Sequence, residues 1–298
     1  MTQIRTKGDR VFSIVVGFFF FLFMLMCMLP FYYLIIVSVS DAAEVQRGNV
    51  MWRPIGFTLD YYRQILTRSG IANAFFISTA RTVVGTIFAV FFNAMFAYTM
   101  TQYKMKFRKF MYRMTVATMY VSAGLIPWFL VMRAYNLNNS FWLYILPGAI
   151  SALNVILIKT YMETIPPSME ESALIDGAGY FTIFTKIMMP LSIPILATVA
   201  IWSAVGQWNS WQDNFFLVSN PALKTIQLFL MEILLEAEAL AVMMRTGLGS
   251  AEFARSRVMT SFTVQVTMAV IVVIPVMMVY PFMQKYFIKG IMIGAVKG

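Results

Sequence analysis

Indole and amide side chains gather near residue 210, and they are the groups in this sequence best suited to recognising a polar molecule. Gln207, Trp208, Asn209 and Trp211 fall within five consecutive positions, with Trp202 shortly before them. A sugar packs the C–H faces of its rings on flat aromatic groups, and its hydroxyls need hydrogen-bonding partners when they leave water. The cluster therefore predicts a path for a carbohydrate. An aromatic belt at the membrane surface with a polar helix end is the alternative.

Arg81 interrupts a stretch that is otherwise uncharged from Ile71 to Tyr103. An ionisable side chain within a membrane span usually faces the interior of the bundle or a water-filled path. In that position Arg81 would line the substrate path and favour an anionic ligand such as a uronate oligomer. However, the nineteen residues 82–100 already give about 28 Å of helix. Arg81 could therefore instead lie at the membrane boundary, with its guanidinium group reaching water.

Acidic residues concentrate between two apolar runs, at about residues 161–189. Four of the thirteen carboxylates fall within fourteen positions: Glu163, Glu170, Glu171 and Asp176. The pair 166–167 is Pro-Pro, which stops a preceding helix because proline has no N–H to donate. Ser168 and Glu171 have the spacing of a capping box, which predicts a short new helix from about Met169.

Small residues surround the end of this predicted helix. Gly177 and Gly179 tolerate the left-handed conformation in which helices commonly end, so we expect the helix to stop after about two turns. Ser172, Ala173, Gly177 and Ala178 leave room for another surface to approach. The loop therefore has the form of a docking site.

Several kinds of chemistry are excluded by the residues that the sequence lacks. It has no histidine and one cysteine, Cys27, so neither a His/Cys metal cluster nor a Cys/His or Ser/His catalytic pair is possible. No G-x-x-x-x-G-K-[S/T] phosphate loop occurs, which excludes ATP binding of the P-loop kind. We therefore expect no enzyme activity, no metal and no bound cofactor in this chain. The net charge of +10 is spread over loops and does not indicate a nucleic-acid partner.

The composition predicts a membrane protein, since 60% of the residues are hydrophobic and only 12% are charged. Six uncharged runs each hold a window near the length of about 20 residues that crosses a bilayer. They predict an all-α integral membrane protein with six transmembrane helices. Residues 224–245 are also apolar, but their three glutamates favour an amphipathic surface or re-entrant helix over a seventh span. The six runs are residues 11–40, 82–103, 114–132, 136–158, 187–212 and 258–284.

The distribution of Lys and Arg predicts the orientation of the spans. The segments that would be cytoplasmic hold thirteen of these cations, and the longer outer segments hold nine. The densest cluster, at residues 104–113, lies in a short loop, where the positive-inside rule applies best. We therefore expect a cytoplasmic N-terminus at 1–10, a six-span domain at 11–284 that contains the acidic loop, and a cytoplasmic tail at 285–298.

The acidic loop resembles the coupling loop of ABC-importer permeases. That family has Glu-Ala-Ala, then Gly, Ile and Leu-Pro at fixed spacings. This chain has Glu171-Ser172-Ala173, Gly177, Ile187 and Met189-Pro190 at the same spacings, and departs from the pattern at Ser172 and Met189. The alternative is an ordinary connector in which Glu171 only caps its own helix.

Three further stretches resemble the carbohydrate branch of these permeases. Phe57-Thr58-Leu59-Asp60 with Tyr62 is similar to a segment that follows the first span in sugar permeases, although a plain extracellular loop would also explain it. The run from Gly206 to Trp211 is similar to the Trp-Asn-x-aromatic motif. The tail from Lys289 is similar to the ending of maltose-type permeases, or else is a frayed basic terminus. Its five closing residues are as the family has them: Gly294, Ala295, Val296, Lys297 and Gly298.

The resemblance implies a permease subunit of a carbohydrate ABC importer, of the type I permease fold with a cytoplasmic coupling helix. It implies a heterodimer with a second homologous permease, two ATPase subunits that hold ATP and Mg, a solute-binding protein and a location in the bacterial cytoplasmic membrane. The ATPase would meet the loop at 170–177 and the tail at 294–298. Substrate would pass Arg81 and the residues near 210. The alternatives are an ABC permease for another solute, an ion-driven secondary transporter or a membrane scaffold.

Overall fold

The computed structural model describes residues 7–246, 262–279 and 281, and in these residues the chain forms helices and turns without a strand. Two compact units can be distinguished. Of the described residues, the first contains 7–68, 232–246 and 262–273, and the second contains 69–231, 274–279 and 281. Each unit is described below by itself.

The helices are, in chain order, α1 Lys7–Ser38, α2 Ala42–Gln46, α3 Asp60–Leu66, α4 Ile71–Thr101, α5 Arg108–Thr118, α6 Leu125–Ala134, α7 Ala152–Met162, α8 Ser168–Ile175, α9 Tyr180–Ile183, α10 Met189–Leu191, α11 Ile193–Asn209, α12 Gln212–Leu217, α13 Ile226–Thr246 and α14 Phe262–Val279. Short 3-10 turns occur at Phe141–Tyr144 and Pro221–Leu223, and a π-helical turn at Phe184–Met188 joins α9 to α10.

Three helices in the described residues are long and apolar enough to cross a membrane. They are Val11–Ser38 within α1, α4 and α14. A fourth candidate is the pair Tyr180–Leu191 and Ile193–Asn209, which is bent by 83° at Ser192. The all-helical membrane architecture is thus confirmed, whereas the count of six spans is not.

The third and fourth uncharged runs are not continuous helices, contrary to the spans predicted there. The run at 114–132 is divided between α5 and α6, because Gly124 has φ +79° and cannot continue a helix. The run at 136–158 contains the 3-10 turn at Phe141–Tyr144 and becomes α-helical only from Ala152. Pro147 and Gly148 lie in the interruption, and proline lacks the N–H that a helix would need. Uncharged length therefore overestimated these two helices.

The first unit folds the segment after α1 back onto the end of that helix. α1 continues through Pro30, and its apolar side chains are mostly exposed, as on a lipid-facing helix. Near its end, Ile36 and Val37 are buried with Val266 of α14. The backbone N–H of Thr58 donates to the Val39 carbonyl at 3.0 Å. The Thr58 segment is therefore packed against the base of α1 rather than extended as a free loop.

The second unit is built around α4, which packs against α7 and α11. Ala94 and Ala97 are fully buried, and their small side chains allow the neighbouring helices to approach α4. Asn93 fixes the start of α7, because its amide donates to the Ala149 carbonyl at 3.0 Å and accepts from the Ser151 N–H at 2.8 Å. α4 is 31 residues long, which corresponds to about 45 Å, so groups in its first half lie far from groups at its end.

Residues 224–245 form a helix, as predicted, since α13 covers Ile226–Thr246. α13 is not among the described helices that are apolar enough for a span. Its first turn is held by α4, because the Ser78 hydroxyl accepts a hydrogen bond from the Ile226 N–H at 2.8 Å. The predicted helix is therefore confirmed, and its position at the membrane surface stays a prediction.

Candidate functional site

Arg81 forms a buried ion pair with Asp213. Its Nη2 lies 2.6 Å from Asp213 Oδ2, and Nη1 lies 3.2 Å from Oδ1, so the contact is bidentate. The arginine side chain is 2% exposed and the aspartate 12%. α4 supplies the arginine, and the break after α11 places the aspartate in the first turn of α12. Two charges that are far apart in the sequence neutralise each other here.

Gln207 and Tyr144 complete the surroundings of the guanidinium group. Arg81 Nε donates to Gln207 Oε1 at 3.3 Å, and the guanidinium carbon lies 4.3 Å from the centre of the Tyr144 ring. Gln207 Nε2 in turn donates to the Tyr144 carbonyl at 3.0 Å. A Cβ atom at Gly85 would lie 2.7 Å from Gln207 Cδ, so only glycine leaves the amide this position on α4. The amide is therefore oriented by groups on both sides.

A second set of hydrogen bonds fixes the Tyr144 hydroxyl. Asn214 Nδ2 donates to it at 2.7 Å, and the hydroxyl donates to the Leu223 carbonyl at 2.8 Å. Asn214 is fully buried, and its Oδ1 accepts from the Thr225 N–H at 3.0 Å. These bonds connect α12 to the turn before α13. The ring beneath Arg81 therefore has a fixed position.

A cavity of about 400 Å³ opens beside this network. Its wall combines three aromatic residues, Trp128, Tyr144 and Trp202, with polar groups that include Asn154 and Gln207. The indole of Trp202 is 44% exposed, so a large part of its surface can contact a ligand. A concave site with aromatic surfaces and a few oriented polar groups is suited to a small polar molecule such as a sugar ring.

The residues predicted near 210 do not form one group in the structure. Gln207 lines the cavity, but Trp208 on the next position is 7% exposed and its ring lies 6.2 Å from that of Phe75. Asn209 is exposed and does not line the cavity, and Trp211 packs edge-on against Phe215 at 5.8 Å. Successive residues of a helix point in different directions, about 100° apart, so a run of neighbours cannot share one surface.

Sequence reasoning gave no role to Trp128, Tyr144 or Asp213. Their side chains reach the site through the packing of helices. The spacing of residues along the chain does not reveal such packing. One physical indication existed for Asp213, because an arginine buried in an apolar region requires a nearby carboxylate.

The alternative position for Arg81, with its guanidinium group in water at the membrane boundary, is wrong, because the side chain is buried. The hypothesis that Arg81 binds an anionic ligand required an unpaired positive charge, and Arg81 does not have one. Asp213 occupies the guanidinium group with two contacts, so Arg81 and Asp213 together contribute no net charge to the cavity. Arg81 and Asp213 are the only charged residues among the described residues that line this cavity.

The acidic loop contains the predicted short helix, α8, from Ser168 to Ile175. Its end is also as predicted, with Gly177 at φ +82°. The capping box is wrong: Pro167 is the N-cap, Ser168 is already helical, and no side chain caps the first turn. Proline has φ near −57° here, which is already helical, so the turn starts one residue earlier than the serine pattern indicated.

The carboxylates of α8 differ in what they contact. Glu170 Oε1 accepts a hydrogen bond from the Tyr98 hydroxyl at 3.1 Å, and the Tyr98 ring stacks on Phe184 at 5.5 Å. Tyr98 lies near the end of α4, so this contact connects the acidic helix to the membrane span. Glu171 is exposed, and it lines a cavity of about 310 Å³ between α8 and the end of α4.

The small residues of the loop are divided between the interior and the surface. Ala173 and Ala178 pack against the core that contains Tyr98 and Phe184. Ser172 and Asp176 are exposed, and a Cβ atom at Gly177 would meet nothing within 4 Å. Open space for another surface therefore exists at Ser172, Asp176 and Gly177. The predicted tail residues, 294–298, lie outside the described residues.

Known relatives match this chain over almost its whole length. No family model matches it. It is 35% identical over 291 residues to the polygalacturonan/rhamnogalacturonan transport system permease protein YtcP of Bacillus subtilis (strain 168), covering 97% of this chain and 99% of that protein. It is 32% identical over 297 residues to Protein LplC of the same organism, covering 100% of this chain and 98% of LplC.

A solved structure shows the same fold. It is a crystal structure of a bacterial ABC transporter involved in the import of the acidic polysaccharide alginate. The similarity has a TM-score of 0.80 at 29% identity, and it covers 96% of this chain and 100% of the matched chain. Length, fold and sequence thus agree over almost the whole chain.

Proposed function

Since this chain belongs to the permease subunits of sugar-importing ABC transporters, we propose that its Trp202 cavity forms half of the path for an oligosaccharide. One observation carries the proposal: the cavity of about 400 Å³ combines exposed indole surface with an amide held in place by Arg81 and Gly85. Sugar rings stack on indole faces, and an oriented amide satisfies a hydroxyl without losing rotamer entropy. A second homologous permease would supply the other half, as a heterodimer.

The transported molecule is an oligosaccharide that includes acidic sugars. The support is the function of two relatives, a polygalacturonan/rhamnogalacturonan permease and an alginate importer. Because Asp213 already occupies the guanidinium of Arg81, this chain recognises the neutral parts of the sugar rings. The cation that receives a uronate would then come from the second permease or the solute-binding protein.

α8 is the element that couples transport to ATP hydrolysis. Glu171 and Asp176 are exposed and available for charge-assisted contacts to a basic groove of an ATPase subunit, whereas Glu170 bonds to Tyr98. A movement of the ATPase would thus reach α4 directly. Two ATPase subunits would carry ATP and Mg, and the tail at 294–298 would lie at their interface.

The remaining parts of the proposal concern topology. Both termini face the cytoplasm of a bacterial cell, which places α8 on the side of the ATPase and the cavity nearer the solute-binding protein. An ion-driven secondary transporter is not favoured, because the solved structure that matches 96% of this chain is an ABC transporter. The chain itself performs no hydrolysis and acts as the transport subunit.

The experiment is ATPase activity and sugar uptake by the assembled transporter in liposomes, with loaded binding protein added. Glu171→Ala is expected to lower stimulated hydrolysis about tenfold, because it removes a charge-assisted contact worth about 1.5–3 kcal/mol. The matched control is Glu238→Ala, which removes another exposed carboxylate, from α13. A chain shortened after Gly290 tests the tail in the same assay. Full stimulation and uptake in both Glu171→Ala and the shortened chain would refute the coupling role.

A further inference from the structure

An open cavity of about 910 Å³ lies beyond the end of α4, where the 102–107 loop and the start of α5 meet α7. Four cationic side chains line it: Arg108, Lys109, Arg113 and Lys159. No carboxylate is among the described residues that line it. No residue that lines it also lines the Trp202 cavity, and the proposed transport function does not involve it.

The cations of this cavity exceed the anions available to them. Glu163 contacts two of them, at 3.2 Å from Arg108 Nη2 and 2.7 Å from Lys159 Nζ. Lys109 and Arg113 have no carboxylate partner in the described part of the chain. They lie four residues apart, on one face of α5, so their charges repel each other. An anion between them would relieve this repulsion.

Aromatic and apolar side chains surround the cations and are open to the outside. Tyr103 is 86% exposed, Phe107 77% and Phe110 58%. Met114, one helical turn after Phe110 on α5, is 48% exposed and continues the apolar surface away from the cavity. Phe107 adopts a left-handed conformation at φ 63°, which is unusual for a bulky residue and directs the chain sharply into α5.

This combination is typical of a membrane surface. α4 ends at Thr101, so residues 102–113 immediately follow a span. Aromatic rings are enriched at the level of the lipid headgroups, and basic pockets at helix ends bind anionic headgroups. An acidic protein surface would also pair with the cations, whereas a lipid brings in addition acyl chains that reach Phe110 and Met114 beside the span.

We propose that this cavity binds the phosphate headgroup of an anionic phospholipid, with its acyl chains along Phe110 and Met114. The phosphate lies between Lys109 and Arg113, and Arg108 keeps its contact with the Tyr103 ring at 4.7 Å. Bound lipid would thereby fasten the loop between α4 and α5 to the membrane. The proposal concerns lipid binding alone, so it holds or fails independently of the transport proposal.

The test measures bound lipid on the purified, fully assembled transporter by native mass spectrometry. The transporter is titrated with phosphatidylglycerol, with phosphatidylcholine and with inorganic phosphate. Phosphatidylglycerol should bind at least about tenfold more tightly than phosphatidylcholine, since each cation at a membrane surface strengthens the attraction of an anionic lipid. Inorganic phosphate at the same concentration should not displace it, because it lacks acyl chains.

The decisive variants remove equal charge from two places in the same loop. Lys109→Gln with Arg113→Gln should weaken phosphatidylglycerol binding at least about tenfold. Lys104→Gln with Lys106→Gln, outside the cavity, should change it less than about twofold. Lys109→Arg with Arg113→Lys keeps both charges and should retain binding, which separates loss of charge from a disturbed fold.

Three results would overturn the proposal. An equal loss of phosphatidylglycerol binding in the two double Gln variants would mean that lipid binding depends only on the net charge of the loop. Displacement of the lipid by inorganic phosphate would identify a site for a free anion. Loss of the ATPase subunits with unchanged lipid binding, in the Lys109 and Arg113 variant, would identify the cavity as a contact between subunits.

Discussion

The two ends of α4 hold their polar groups in opposite ways. In its first half, Arg81 is buried and paired with Asp213, and the neighbouring Gln207 amide is engaged on both sides. Near its end, Tyr98 makes one hydrogen bond to Glu170, and Glu171 beside it is exposed. One end is a closed network and the other is an open surface, about 25 Å apart along the same helix.

The difference indicates what each end is for. A network in which every charge and amide has a partner is rigid and can hold a ligand surface in one shape. Carboxylates that still face water can pair with cations of another protein and return to water when it leaves, so they suit a contact that forms and breaks. A single helix connects the two, and a movement at α8 can therefore change the cavity.

The largest effect is expected from breaking the closed network with Asp213→Ala. The substitution leaves the Arg81 charge buried without a partner, which costs about 3–5 kcal/mol. The thermal midpoint of the purified complex should fall by on the order of 10 °C. Arg81→Met together with Asp213→Leu removes both charges and should recover most of that loss. An unchanged midpoint in the single variant would show that the pair is not buried in the working protein.

A smaller effect at the same end is expected from Gly85→Ala. The new methyl group would lie 2.7 Å from Gln207 Cδ and Nε2, so the amide must move away from Arg81 and from the Tyr144 carbonyl. Two lost hydrogen bonds correspond to about 1–2 kcal/mol, and uptake should fall about tenfold while the fold persists. Gly17→Ala in α1, where nothing lies within 4 Å, is the matched control. Equal uptake by both variants would contradict a positioned amide.

The smallest effect is expected at the open end, from Tyr98→Phe. The ring still stacks on Phe184, but the hydroxyl bond to Glu170 is lost. Because Glu170 is only half-buried, the bond contributes about 1 kcal/mol, and sugar transported per ATP should fall by roughly fivefold or less. Tyr112→Phe is the control, since the Tyr112 hydroxyl makes no hydrogen bond in the described residues and its ring still faces Lys159 at 4.7 Å. A normal transport ratio in Tyr98→Phe would remove the link between α8 and α4.

Local patterns predicted several elements of this structure from the sequence. The helix at Ser168–Ile175 with its glycine end follows from proline and glycine chemistry, which acts within a few residues. The helix at Ile226–Thr246 and the spans α1, α4 and α14 follow from apolar length and the position of glutamates. Charge-free length failed at 114–132 and 136–158, since it does not detect a glycine or proline that interrupts a helix from within.

The candidate site was predicted only in part. Arg81, Gln207 and Trp202 do meet at one cavity, but Trp208 belongs to a different surface and packs on Phe75. Trp128 and Tyr144 come from parts of the chain that no motif indicated. The capping box at Ser168 failed because the backbone of Pro167 is already helical and begins the turn.

The sequence by itself determined that this is a helical membrane protein of a sugar-importing ABC family, because apolar length, charge bias and short motifs are local properties. The tertiary structure decided which charges are buried and paired, and which side chains line the cavity. Asp213 meets Arg81 only because α11 ends at Asn209 and the following turn reverses toward α4. Pairing across more than a hundred residues depends on how helices pack, and burial then makes that pairing obligatory.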